Sequence, residues 1–114
     1  MKRNTTPTLC VSIFVDKSSI KEIDFIFKSQ NLERSKELIT KSFTPETMKT
    51  KNGVTPGEVI FFIDFSTNET MKLPEGTIYM DTRIVTKENK ILETEIVSFD
   101  MGKTLFSEVY DIWN

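Results

Sequence analysis

The side chains that could do chemistry in this sequence are mostly carboxylates. Asp16, Asp24, Asp64, Asp81, Asp100 and Asp111 are scattered along the chain. Carboxylates can work in acid–base pairs or hold Ca²⁺, but a Ca²⁺ loop needs an Asp-x-Asp-x-Asp-Gly type of spacing, and none is present. The chain contains no histidine, which removes the commonest general base and the commonest metal ligand. Neither a Ser–His nor a Cys–His nucleophile can be assembled. The single cysteine, Cys10, lies in an alternating stretch with no neighbour able to lower its pKa. It reads as an inert, packed or half-exposed thiol. These residues name no catalytic, cofactor-binding or metal-binding position, so the expectation is a non-enzymatic protein that needs no cofactor.

Two other groups of residues bear on function. Asp64 sits inside the most apolar run, Val59 to Phe65. It is expected to face outward near a strand end or to pair with a cation, with Arg83 a candidate by residue type. The C-terminal run Leu105-Phe106-x-x-Val109-Tyr110-x-Ile112-Trp113 is rich in apolar groups for a chain end. It reads as a tail folded over the mouth of the fold or as a docking peptide, since Trp and Tyr are enriched at interface hot spots. Tyr79, Tyr110 and Trp113 are also the residues that could form an aromatic platform for a carbohydrate or a cell surface. The candidate protein-interaction residues are therefore Leu105, Phe106, Val109, Tyr110, Ile112, Trp113 and Tyr79.

The elements that must position these residues are strands. Leu9, Val11, Ile13 and Val15 share one parity, and so do Ile23, Phe25 and Phe27, which predicts two strands with those faces buried. Asn31 to Lys41 is good helix material in part, but is read as the hairpin partner of the second strand. Thr44 to Gly57 carries Thr-Pro, Asn-Gly and Pro-Gly signals and is expected to be a long loop. Val59 to Phe65 reads as a central strand covered on both faces. Ser66-x-x-Glu69 has capping-box spacing, which predicts one helical turn over residues 67–72. Leu73 then plugs the core, and Gly76 supplies the backbone freedom of the corner.

Beyond that corner, Ile78, Met80, Thr82 and Ile84 are expected to face inward, with Tyr79, Asp81, Arg83 and Val85 outward. Residues 87–90 form a hairpin turn, Ile91 to Phe99 returns antiparallel, and Thr104 to Val109 makes a last short strand. The segment Leu73-Pro74-x-Gly76-x-x-Tyr79 resembles the tyrosine corner of immunoglobulin-like sandwiches, but strand parity places Tyr79 on the outer side.

The chain is 114 residues long, enough for one two-layer domain. About seven strands with regular turns predict an all-β, two-layer antiparallel β-sandwich of immunoglobulin-like type over residues 8–110. A flexible arm (1–7) precedes it and a short tail (111–114) follows. Hydrophobic residues make up 38% of the chain, and it carries nine Phe, enough apolar material to fold without staples. The net charge of −2 argues against nucleic acid as a partner, since a duplex-binding surface needs an excess of Lys and Arg. No apolar run approaches the length of a membrane span, and no signal peptide is visible.

Thr5-Thr6-Pro7-Thr8-Leu9, followed by Ile20-Lys21-Glu22 and Phe25-Ile26-Phe27-Lys28-x-Gln30, resembles the opening of a group of small proteins encoded in prophages of Firmicutes. The Thr-x-x-Leu-x-x-Gly segment ahead of an Arg-Ile strand (Thr70 to Ile84) and the Leu-containing, acidic end (Leu105 to Asp111) are similar too. The chain also has a looser similarity to the immunoglobulin-like N-terminal domains of siphophage baseplate proteins. The resemblance implies a structural or adaptor module of the tail or baseplate region. Its partners would be other phage structural proteins or a second copy. It would be located in the host cytoplasm during assembly and then in the virion.

Overall fold

The computed structural model describes residues 6–29, 37–74, 76–94 and 96–101. The alternating segments become strands as expected: β1 (Thr8–Phe14), β2 (Ile20–Lys28), β3 (Glu37–Phe43), β4 (Lys49–Asn52), β5 (Glu58–Asp64), β6 (Gly76–Thr86), β7 (Ile91–Glu93) and β8 (Val97–Met101). They form two antiparallel sheets. The smaller has three strands in the order β1-β5-β4, and the larger has five, β3-β2-β6 with β7 and β8 both on the far side of β6. The fold is an all-β sandwich.

Period-two patterning explains the layering. Leu9, Val11 and Ile13 on β1 and Val59, Phe61 and Ile63 on β5 meet Ile23, Phe25 and Phe27 on β2 and Ile78, Met80 and Ile84 on β6 in one core. Phenylalanine rings join the layers edge to face. Phe25 meets Phe61 at 6.0 Å between centroids and Phe27 meets Phe65 at 5.2 Å, while within the larger sheet Phe27 also meets Phe99 at 6.1 Å. Such pairs add about 0.5–1.5 kcal/mol each beyond burial.

A short helix, α1 (Thr67–Met71), follows β5. Its capping box is complete: the Ser66 hydroxyl accepts from the Glu69 N–H, and the Glu69 carboxylate accepts from the Ser66 N–H. Leu73 is fully buried behind it, and Gly76 takes φ +106°, a conformation that side chains with a Cβ rarely adopt.

Three expectations need correction. The stretch from Thr44 to Gly57 is not one long loop, because β4 pairs with β5 from Lys49↔Phe62 to Asn52↔Val59. Lys-Thr-Lys-Asn lacks apolar alternation because β4 is an edge strand, where lysines guard against unwanted pairing. Ile91 to Phe99 is not one uninterrupted strand either. Glu93 pairs with Arg83 and Val97 with Met80, so three positions, 94–96, span two on β6. This bulge reverses the parity: Leu92 lies across from Ile84, but beyond the bulge Val97 and Phe99 take the inward places across from Met80 and Ile78. Asp64, finally, faces outward but does not pair with Arg83. Its carboxylate takes Lys49 at 2.7 Å and the Thr8 hydroxyl at 2.6 Å. The strand expected over Thr104 to Val109 lies outside the described residues.

Candidate functional site

β1 has one edge on β5, and no described strand pairs with the other. A groove of about 270 Å³ follows that edge, between Val11–Phe14 and the side chains of Met80, Thr82, Thr94 and Val97 on the larger sheet. At the end of β1 the chain turns outward. Phe14 is 65% exposed and Val54, in the β4–β5 turn, is 98% exposed. Both line an open cleft of about 820 Å³ with Val15, Pro56 and Val59. Gly57, at φ +85°, shapes the turn, and its carbonyl accepts the Val15 N–H at 3.2 Å.

The outer side of the smaller sheet continues this surface. Ser12, Phe14, Ile60 and Phe62 share it by register, with Lys51 over the Phe62 ring at 5.9 Å. The charges here are paired. The Ser12 hydroxyl and the Thr55 N–H donate to Glu58 and hold its carboxyl below the usual range. Lys49 and then Thr8 do the same for Asp64.

At the side of the sandwich, Lys41 reaches from β3 to Glu69 at 2.8 Å, with both side chains largely covered, and lies 5.8 Å from the centre of the Phe65 ring. Burial pushes the Glu69 carboxyl up, but Lys41 and the capping N–H and hydroxyl of Ser66 outweigh it, so its pKa falls. This contact ties α1 to the larger sheet and is architectural.

Tyr79 is half-buried on the outer side of the larger sheet, across from Lys28 and Ser98. Leu105, Phe106, Val109, Tyr110, Ile112 and Trp113 lie outside the described residues. Cys10 is half-buried in β1. Among the described residues, no group of three or more Cys, Asp or Glu is arranged to hold a metal ion, and no helix is long and apolar enough to cross a membrane.

Sequence reasoning missed two features. The Phe14–Val54 mouth gave no signal, because both residues read as ordinary members of a strand and a turn. Asp24, in the middle of β2, is 9% exposed, though by sequence it counted only as one of the scattered carboxylates. Comparison with protein-family models, curated proteins and solved structures finds no match.

Proposed function

We propose that this chain is a non-enzymatic contact module that works through the open edge of β1 and the apolar mouth beside it. The phage setting is part of the same proposal: a structural or adaptor component of the tail or baseplate region. The observation that supports the contact reading is β1 itself. Its seven residues present a backbone edge over an apolar groove and end in an exposed phenylalanine. An extended segment of a partner can add to such an edge by backbone hydrogen bonds, with its alternate side chains entering the groove. The phage setting rests on the sequence resemblance alone.

Purified particles provide the test. The chain is expected among their proteins by mass spectrometry, and Phe14→Asp and Val54→Asp are expected to abolish its incorporation while leaving its circular dichroism and melting unchanged. Incorporation of both variants at the wild-type level would overturn the contact surface. Recovery of the wild-type chain only in the unassembled pool would overturn the phage setting.

A further inference from the structure

β2 runs through the middle of the larger sheet, between β3 and β6. Its outward side chains are Glu22, Asp24, Ile26 and Lys28, since these lie across from Val85, Arg83, Asp81 and Tyr79. Asp24 is more than nine-tenths hidden, and its Oδ1 has no hydrogen-bond partner. Its cross-strand neighbours are Ser42 and Arg83. Both are exposed, and neither satisfies that oxygen. A buried acceptor left unmet is an unfavourable feature of the protein on its own.

Glu22 lies two residues from Asp24 on the same side of β2. The two carboxyls stand side by side on the outward face of β2, and like charges so placed repel. The Asp24 carboxyl beside it, through hydrogen bonding and then repulsion, raises the Glu22 pKa, against the pull of Arg83 and Lys21.

The surrounding face is acidic. Glu37 on β3, Asp81 on β6, Glu93 on β7 and Asp100 on β8 point to the same side by register. Among the described residues the cations there are Lys28 and Arg83, with Lys21 at the irregularity that opens β2. On the smaller sheet, by contrast, Lys49 and Lys51 share their face with Glu58 and Asp64. Negative charge is therefore gathered on one broad side of the sandwich, with half-buried Ile26, Tyr79 and Val85 between the charges.

We propose that the outer face of the larger sheet is a docking surface for a basic protein segment, with one arginine head seated between Glu22 and Asp24. A guanidinium suits the place because its planar fork donates to two carboxylates at once and keeps its charge when desolvated. Its fork spans the two carboxyls and satisfies Oδ1 of Asp24. Binding therefore strengthens as pH rises through the Glu22 titration. This face is separate from the β1 edge, so either reading can fail without the other.

The test is a titration of the full chain with a hexa-arginine peptide, followed by amide NMR shifts, with hexa-glutamate as control. Shifts are expected at Asp24, Ser42 and Arg83, weakening with added salt and on going from about pH 7 to about pH 4. Asp24→Asn is expected to weaken binding about 30-fold or more. Because Asp24 is buried, the exposed Glu93→Gln serves as a second variant, expected to weaken binding a few-fold with unchanged melting. Glu58→Gln, on the other sheet, is expected to bind as wild type. Shifts spread over acidic residues of both sheets, Asp24→Asn binding like wild type, or equal affinity at the two pH values would each overturn the proposal.

Discussion

β2 and β5 are the central strands of the two sheets, and their inner sides are nearly interchangeable. Ile23, Phe25 and Phe27 on one, and Val59, Phe61 and Ile63 on the other, are all buried in the same core. Their outer sides differ. β5 turns Ile60 and Phe62 outward, between two paired carboxylates. β2 turns out Glu22 and Asp24, two carboxyls side by side, with Oδ1 of Asp24 unmet. The inner pattern is what closes a sandwich, and any sequence of this class must carry it. The outer pattern is under no such demand, so it is where two sheets of one fold can diverge in what they meet.

The largest effect expected from this contrast is in the core. Phe27→Ala should cost about 3–5 kcal/mol of stability, whereas Phe62→Ala, on the half-covered outer side of β5, should cost about 1 kcal/mol. Urea unfolding midpoints would show it, and equal losses would erase the distinction between inner and outer faces.

Asp24→Asn should act in the opposite direction, adding about 1–2 kcal/mol near neutral pH. The amide can donate to the Glu22 carboxylate, and no charge remains buried. The pH profile sharpens the point. Glu22 has a raised pKa in the folded chain, so its contribution is complete below its ordinary value and is lost as pH rises through the folded one. Glu58, Asp64 and Glu69 have lowered values, so theirs is present at neutral pH and is lost as acid is added. Thermal melts against pH should show both limbs in the wild type, and Asp24→Asn should remove only the higher one.

Ser66→Ala should cost about 1 kcal/mol by removing the cap of α1, read from the same unfolding curves. Lys49→Ala, at an ion pair exposed on both sides, should cost no more than about 0.5 kcal/mol. A larger loss there would mean that the smaller sheet depends on its rim.

Much of the inner side was legible in the sequence. Phe25-Ile26-Phe27 and Val59 to Phe65 specified buried strands because alternation with β-branched and aromatic residues has few other solutions. The capping box was legible because its two hydrogen bonds are local. β4 was not, because an edge strand of four residues draws its stability from the neighbour it joins rather than from its own pattern. The Asp64 partner was missed for a similar reason: Lys49 reaches it only once β4 lies beside β5. Asp24 was misjudged because its covering comes from a crowded sheet face, which depends on the widths of three adjacent strands. Of the candidate interaction residues, Tyr79 alone falls within the described part of the chain, on the outer face that parity assigned to it.

The three-against-two step between β7 and β8 also sets how length changes can be tolerated there. Removing one residue from positions 94–96 would leave two positions against two, so plain alternation from Leu92 would still bring Val97 and Phe99 to their inward places across from Met80 and Ile78. Removing a second residue would leave one position against two and turn Ser98 toward the ring of Phe27 and Phe99 out to water, so the segment can lose its extra residue but not another.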